Sequence, residues 1–284
     1  MIKYYTRACN FKYGSIARKL IKKKLALPLC GNGNISFDEI EIITRSKNRV
    51  SNKIIHYKKL NDLSNNQKKQ VKKDLRNITL KRNNFLKNIN FSKPSIMGIL
   101  NLTPDSFSDG GKFNEKKKSI KHISDMISFG ANIIDVGGES TRPGSKTINP
   151  KKEWERVKHV IRVFKKRYKN ISLSIDTRKS DLMIKSIKHG VNLINDVSGF
   201  SYDKNSLKKI KKFNLPKVLH HMKGTPNTMQ INPKYKNVLL DIYDFFEKSI
   251  KTNFDNKKII LDPGIGFGKN LKHNLTLISK ISLF

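Results

Sequence analysis

Polar side chains that can bind a ligand follow short apolar runs at several places along the chain. Asn101, Asp176, Asn195 and Asp262 each stand at or just after the end of such a run. Carboxylate and amide oxygens accept hydrogen bonds from N–H donors, and an amide oxygen can also meet a metal ion. These four residues are therefore candidates for ligand contact, with Asn101 as the candidate for a metal or oxyanion contact.

Two glycine-rich segments add basic and hydroxyl groups. In GGESTRPGS (residues 137–145), Arg142 can bind phosphate oxygens through two parallel hydrogen bonds, and Thr141 adds a hydroxyl donor. In LDPGIGFGK (residues 261–269), Gly266 and Lys269 follow the carboxylate in a glycine-rich turn. An arginine and a hydroxyl in a flexible loop are typical of a phosphate-binding segment.

Each of these residues also has an ordinary structural interpretation. Asp176 and Asp262 precede helical or turn segments and could be helix N-caps. Asn101 could cap a turn, and Arg142 could be a solvated surface residue. Taken singly, the residues leave these alternatives open, and only their occurrence in a series favours ligand contact.

The remaining side chains that could act as nucleophiles or metal ligands do not form a catalytic or metal-binding pattern. His220 and His221 follow an apolar run and are better interpreted as packing or loop residues than as metal ligands. Cys9 and Cys30 lack partners at metal-ligand spacing, so we expect free, reduced thiols. No Ser/His/Asp or Cys/His arrangement stands out.

The elements that must position the site alternate regularly. Apolar runs lie at residues 95–100, 131–136, 171–175, 191–195, 217–220 and 258–261, and amphipathic stretches lie at 116–129, 153–168, 181–189, 204–213, 238–252 and 271–281. Repeated strand–helix units predict a parallel sheet covered by helices, and polar groups at the strand ends are typical of a (β/α)8 TIM barrel. The predicted fold class is therefore α/β, with about six of the eight barrel units and an N-terminal extension.

The N-terminal third contains fewer clear hydrophobic patterns than the rest of the chain. Residues 35–44 alternate well enough for a strand, and residues 63–85 are polar and compatible with a helix. We expect a domain boundary near Pro94, with a small α+β or partly flexible extension over residues 1–92 and a barrel domain over residues 93–284.

The formal net charge is +37, from 59 Lys and Arg against 22 Asp and Glu. Because the lysines are spread along the whole chain and accompanied by abundant Asn and Ile, the excess is better explained by AT-rich codon usage than by a specific nucleic-acid surface. There is no apolar run of membrane-spanning length and no apolar signal core, so we expect a cytoplasmic protein with no membrane association.

Six motifs in order resemble the dihydropteroate synthases. They are MGILNLTPDSFSDGG (97–111), GGESTRPGS (137–145), IDTRKS (175–180), LINDVSG (193–199), HHMKGTPNTMQ (220–230) and LDPGIGFGK (261–269). The first two together are highly specific, and the resemblance extends from residue 95 to residue 284. It implies an enzyme of folate biosynthesis that condenses hydroxymethyl-dihydropterin pyrophosphate with p-aminobenzoate, releasing pyrophosphate.

The resemblance also implies roles for individual residues. Asn101 contacts Mg²⁺ and pyrophosphate, and Thr141 and Arg142 grip the pyrophosphate. The residues implied to surround the pterin are Asp176, Asn195, Asp262, Gly266 and Lys269, and those implied to enclose p-aminobenzoate are Phe107 and Pro143. Asp176, Asp262 and Arg142 are the candidate catalytic groups. Phe107 could instead be ordinary loop packing.

Family members continue beyond a sixth unit with a Ser-Arg-Lys motif and an Arg-x-His motif, which the 284 residues do not contain. Arg178, Lys179 and Ser180 belong to the third unit and are not that motif. The resemblance therefore predicts a C-terminally truncated form that is possibly inactive, and it puts the family's homodimer in doubt. Two alternatives are a pterin-binding methyltransferase of corrinoid systems, which the first two motifs disfavour, and a basic, non-catalytic nucleic-acid or scaffold protein.

Overall fold

The structure, a computed structural model, describes residues 2–47, 49–86, 89–103, 116–142, 144–253 and 258–284. The chain forms two compact units. The first contains Met1–Asn83 together with Lys280–Phe284, and the second contains Asn84–Ser279. None of the helices within these described ranges combines the length and the apolar character that crossing a bilayer requires.

The first unit is an antiparallel sheet with two helices. Its elements are β1 (Lys3–Tyr13), α1 (Gly14–Lys22), β2 (Leu27–Leu29), β3 (Asn32–Arg45), β4 (Val50–His56) and α2 (Asn65–Thr79). β3 pairs with each of the other three strands. The strand predicted at residues 35–44 lies within β3, whereas β1, the longest partner of β3, was not predicted.

One face of this sheet carries the core of the first unit. Ala8 and Ile40 are paired across β1 and β3, and both are fully buried. Val71 and Leu75 of α2 pack into the same apolar cluster. α2 begins at a capping box, in which Ser64 and Gln67 exchange side-chain and backbone hydrogen bonds, so the polar segment has a defined start.

A buried carboxylate marks the opposite face of the sheet. Glu41 accepts hydrogen bonds from Arg7 Nε at 2.6 Å, Asn52 Nδ2 at 2.8 Å and Lys280 Nζ at 3.1 Å. Ser282 donates to the Ala8 carbonyl at 3.1 Å. The segment Lys280–Phe284 is thus held to β1 and β3 by specific polar contacts. Cys9 and Cys30 are free thiols, one buried and one exposed.

The second unit is a six-stranded parallel sheet with its helices. Its elements are β5 (Ile96–Asn101), α3 (Lys116–Ser128), β6 (Ala131–Gly137), α4 (Pro150–Arg167), β7 (Ser172–Asp176), α5 (Ser180–Lys188), β8 (Leu193–Asp196), α6 (Ser206–Ile210), β9 (Lys217–His220), α7 (Val238–Asn253), β10 (Ile259–Asp262) and α8 (Leu271–Ser279). The strands follow one another in sequence order from β5 to β10. This is six-eighths of a (β/α)8 barrel sheet, which confirms the predicted fold class.

Apolar side chains close the sheet at the N-terminal ends of its strands. Ile133, Leu193 and Val218 point inward from β6, β8 and β9 and pack against Leu86 and Ile89, which precede β5. All five are buried. Burial of each such side chain contributes about 1.5–3 kcal/mol, and the polar ends of the strands are left free at the other end.

α4 illustrates how the helices are fixed. Asn149 caps it by accepting from the Lys152 backbone N–H at 2.8 Å, and Pro150 occupies the first turn. Trp154, Val157 and Phe164 then bury one stripe of the helix at helical spacing. Trp154 packs against the His189 ring at a centroid distance of 5.0 Å.

Candidate functional site

The strand ends bring three of the predicted residues into one row. Asn101 of β5 pairs with Gly137 of β6, Gly137 pairs with Asp176 of β7, and Asp176 pairs with Asn195 of β8. A Cβ on Gly137 would lie 3.0 Å from Asn101 Oδ1 and 3.7 Å from Asp176 Oδ2. Glycine at position 137 therefore allows the amide and the carboxylate to approach each other across β6.

A carboxylate that sequence reasoning missed lies beneath this row. Asp135 precedes Gly137 by two residues on β6, so its side chain points to the same side of the sheet. Its Oδ2 accepts a hydrogen bond of 2.8 Å from Asn195 Nδ2. The amide nitrogen of Asn195 is thereby engaged, which leaves the Asn195 oxygen as the acceptor for a ligand. The detectable signal was a charged residue inside the apolar run NIIDVGG.

Asp262 stands at the end of β10, in register with His220 of β9. Its Oδ1 accepts from the Gly264 N–H at 2.8 Å, and its half-exposed Oδ2 lies 4.0 Å from His220 Nε2. His220 Nδ1 is 2.8 Å from the Val197 carbonyl oxygen, so this ring is held from the β8 side. Asp262 thus uses one oxygen to shape its own turn and offers the other to the site.

Lys269 is buried close to this carboxylate. Its Nζ donates to the Phe267 carbonyl at 2.8 Å and lies 3.2 Å from both Nδ1 and the carbonyl oxygen of His221. Burial lowers the pKa of Lys269 to about 7, against the opposing effect of Asp262. Burial and the neighbouring Lys269 also lower the pKa of His221 to about 3, so that imidazole is neutral and its Nδ1 can accept.

Burial raises the pKa values of Asp135, Asp176 and Asp196. Burial, followed by the charges of Asp135 and Asp196, raises the pKa of Asp176 well above its ordinary value. Burial raises the pKa of Asp196 to about 6, although Ser198 donates two hydrogen bonds to it. The pKa of Asp135 is raised by burial and by Asp262. Asp135 and Asp176 lie on the same side of the sheet as Asn195, and buried carboxylates of raised pKa favour a ligand that supplies N–H donors or developing positive charge.

The glycine-rich loop after β6 carries the predicted anion contacts. Arg142 is part of a turn in which its N–H approaches Ser140 Oγ at 3.4 Å and its carbonyl accepts from Ser145 N at 3.1 Å. Thr141 and Arg142 are partly exposed. The loop begins directly after Gly137, which is paired with Asn101 on one side and with Asp176 on the other. Arg142 is therefore close to this row along the chain.

The structure allows the structural interpretations of Asp176 and Asp262 to be compared with their predicted roles as ligand contacts. Asp176 is not the N-cap of α5, because that cap is Lys179 and the Ser180 N–H is held by Asp203 Oδ2 at 3.1 Å. Asp262 does form a local turn contact, with one of its two oxygens.

The structure gives less information about the remaining candidate residues. Gly266 is exposed, with a φ of 84°, and its N–H donates to Asn274 Oδ1 at 2.9 Å. The predictions for Phe107 and Pro143 lie outside the described residues.

The described ranges contain no group of three or more His, Cys, Asp or Glu side chains placed to hold a metal. Mg²⁺ does not require one, since it commonly keeps several waters and binds through one or two protein oxygens together with substrate phosphates. Asn101 Oδ1, which faces the space above Gly137, fits such a single protein ligand.

Comparison with known proteins identifies the family of the chain. Residues 97–284 match the family of the pterin binding enzymes. The dihydropteroate synthase of Escherichia coli K12 is 42% identical over 200 residues, covering 69% of this chain and 70% of that protein. A Yersinia pestis dihydropteroate synthase, solved with a sulfonamide drug complex, superposes with a TM-score of 0.64 at 41% identity, covering 68% of this chain and 71% of that one.

A third relative is the Xanthomonas albilineans dihydropteroate synthase solved with 4-aminobenzoic acid. It has a TM-score of 0.60 at 32% identity and covers 68% of this chain and 69% of that one. The family model, the sequence relatives and the solved structures all identify the same family. The chain therefore belongs to the pterin-binding enzymes and, within that family, to the dihydropteroate synthases.

Proposed function

We propose that the row formed by Asn101, Asp176 and Asn195, together with Asp262, is the place where a dihydropteroate synthase reaction occurs in this chain. In that reaction the amine of p-aminobenzoate attacks the methylene carbon of hydroxymethyl-dihydropterin pyrophosphate. A C–N bond forms, the C–O bond to pyrophosphate breaks, and the amine loses a proton. The observation that carries the proposal is the register that aligns the three residues across β5 to β8.

The carboxylates are assigned to the pterin. Its aminopyrimidinone edge presents several N–H donors, for which carboxylate and amide oxygens are matched acceptors. Asp176 and Asp262 act as catalytic groups because positive charge develops on the pterin as pyrophosphate leaves, and nearby carboxylates stabilise that charge. Asn195 presents its oxygen because Asp135 engages its nitrogen. Gly266 and Lys269 complete the wall of the same cleft.

The anionic half of the substrate is assigned to the other groups. Thr141 and Arg142 bind the pyrophosphate, and Arg142 stabilises the charge that it gains on departure. Asn101 would hold Mg²⁺, which when bound supplies charge neutralisation to the phosphate oxygens. Phe107 and Pro143 are proposed to enclose p-aminobenzoate, the ligand named for the relative from Xanthomonas. A cytoplasmic location stays a prediction, and so does the doubt about the family's homodimer.

Pterin fluorescence gives a direct test that does not depend on turnover. We expect the chain to bind 6-hydroxymethylpterin, and Asp176→Asn and Asp262→Asn to weaken binding about tenfold to a hundredfold, the effect of losing a charge-assisted hydrogen bond. Asp181→Asn is the matched control, because Asp181 is exposed on α5 and pairs with Lys209 at 2.8 Å. Equal affinity in all four proteins would contradict the assignment.

A further inference from the structure

A buried cluster of four charged residues lies beside the site and has no role in the assignments above. Glu139, Glu153, Arg178 and Lys179 have side chains exposed by at most 7%. Lys179 Nζ contacts Glu139 Oε1 at 2.8 Å and Glu153 Oε2 at 2.5 Å. Arg178 donates to Glu139 Oε2 from Nη2 at 2.6 Å and from Nε at 3.2 Å. Two cations thus balance two carboxylates out of contact with water.

Glu139 is the centre of this cluster and holds three parts of the chain. Besides the two cations, its Oε1 accepts from the Ile148 N–H at 2.9 Å. One carboxylate therefore ties the start of the loop after β6, the end of that loop before α4, and the connection after β7. Although burial opposes it, the hydrogen bonds from Lys179 and Arg178 lower the pKa of Glu139, which keeps this carboxylate charged.

The cations are themselves fixed at the strand end that carries the pterin carboxylate. Arg178 and Lys179 follow Asp176 by two and three residues, and the intervening Thr177 N–H donates to the Asn195 carbonyl at 3.0 Å. The guanidinium of Arg178 also lies 4.4 Å from the centre of the Tyr202 ring. The cluster therefore connects a rigid strand end to the loop that bears Thr141 and Arg142, two and three residues beyond Glu139.

Resting on the function proposed above, we propose that Glu139, through Arg178 and Lys179, is a positioning residue that sets the Thr141–Arg142 segment for the pyrophosphate group. A buried pair is weak evidence for stability, because desolvation offsets much of its attraction. A net-neutral, hydrogen-bonded cluster instead fixes geometry, and small displacements of a group that binds a reacting charge are costly. The pterin contacts, which come from strand ends, do not depend on this loop.

The test compares two ligands in the presence of magnesium, 6-hydroxymethylpterin and its pyrophosphate ester, by pterin fluorescence or calorimetry. In the unaltered chain the ester should bind more tightly. In Glu139→Gln we expect that advantage to fall about tenfold or more, the effect of misplacing a substrate-positioning group, while affinity for the alcohol stays within about twofold. Arg142→Ala should lose the same advantage, and Asp181→Asn, which breaks an exposed pair on α5, should keep it.

Arg178→Lys provides a second variant in case Glu139→Gln does not fold, since it keeps the charge and removes the two-pronged contact. Folding of each variant is followed by the fluorescence of Trp154, the single tryptophan of the chain. An unchanged ester-to-alcohol ratio in the folded variants, an equal loss for both ligands, or a ratio that Arg142→Ala leaves intact would each overturn the positioning role. Failure of the unaltered chain to bind the alcohol would instead refute the proposed function.

Discussion

Replacement of Asp196 by asparagine should remove a distinct pH dependence from the stability of the second unit. Asp196 is fully buried, and burial raises its pKa from 3.8 to about 6. A carboxyl group with a raised folded pKa favours the folded state in its protonated form. Its contribution is therefore complete below the unfolded pKa of 3.8 and is lost as the pH rises through about 6.

The size of the effect follows from the shift. A difference of about 2.2 pH units at 1.36 kcal/mol per unit corresponds to about 3 kcal/mol between the acid and neutral limits. In Asp196→Asn the amide oxygen can still accept from the Ser198 N–H and hydroxyl, which now reach Oδ1 at 2.8 and 2.6 Å. The new amide NH₂ group takes the Oδ2 position, where no acceptor is at hand. Leaving it unpaired costs about 1–3 kcal/mol, which reduces any gain in the free energy of unfolding at neutral pH.

Urea denaturation followed by Trp154 fluorescence measures this, because Trp154 is buried on α4 of the second unit. The difference in free energy of unfolding between Asp196→Asn and the unaltered chain should move in favour of the variant by about 3 kcal/mol from low to neutral pH. Asp203→Asn is a control of opposite sign. The pKa of Asp203 is lowered by hydrogen bonds from Ser180 and Asn205, so this variant should lose stability above pH 4. Parallel profiles for Asp196→Asn and the unaltered chain would refute the reasoning.

Three further outcomes are expected. Because burial and neighbouring carboxylates raise the pKa of Asp176, pterin binding should release a proton and strengthen as the pH rises through the range in which Asp176 ionises. Calorimetry in buffers of different ionisation enthalpy would contradict this if no proton were released at any pH tested. Gly264→Ala should destabilise the second unit much more than Gly266→Ala, although φ is positive at both positions. The added Cβ would lie 2.0 Å from the His221 carbonyl oxygen at position 264, whereas it would meet nothing within 4 Å at position 266. Equal shifts in the unfolding midpoint measured by Trp154 fluorescence would show that this close approach is relieved elsewhere. Binding to duplex DNA should be lost at moderate salt, as for any polycation, and sequence-specific binding at physiological salt would overturn the composition-based explanation of the charge.

The strand ends were the most predictable part of the site. Asn101, Asp176 and Asp262 end β5, β7 and β10, and the sequence marks each of them by the change from an apolar run to a polar turn. Parallel strands of a barrel present these ends at one face, so local periodicity was sufficient to bring the residues together. The pattern also indicated the helices to within a few residues, because each buries one apolar stripe.

The parts that escaped prediction depend on partners far along the chain. β1 reads as the charged segment KYYTRACNFKY, and its Arg7 and Thr6 are matched by Glu41 and Asp74, 34 and 68 residues away. One oxygen of Asp135 is likewise matched by Asn195, 60 residues later. Charged groups in such segments suggest exposure when the sequence is considered locally, and only the fold supplies the partner that permits burial.

Charge has two different effects in this chain, one at the surface and one in the interior, and the overall composition does not distinguish them. The net charge of +37 comes from lysines on solvated surfaces, and a field of that sign favours the encounter of an anionic pyrophosphate ester with the protein. The interior of the sheet has the opposite character, because burial raises the pKa values of Asp135, Asp176 and Asp196, and the charges of Asp135 and Asp196 raise that of Asp176 further. A pterin pyrophosphate carries N–H donors at one end and negative charge at the other, so it is complementary to this arrangement only when its ring lies inside and its phosphates meet the Arg142 loop. In the proposed function, the burial of the acidic groups thus sets the orientation of the substrate, whereas the abundance of lysine affects how often the ester arrives.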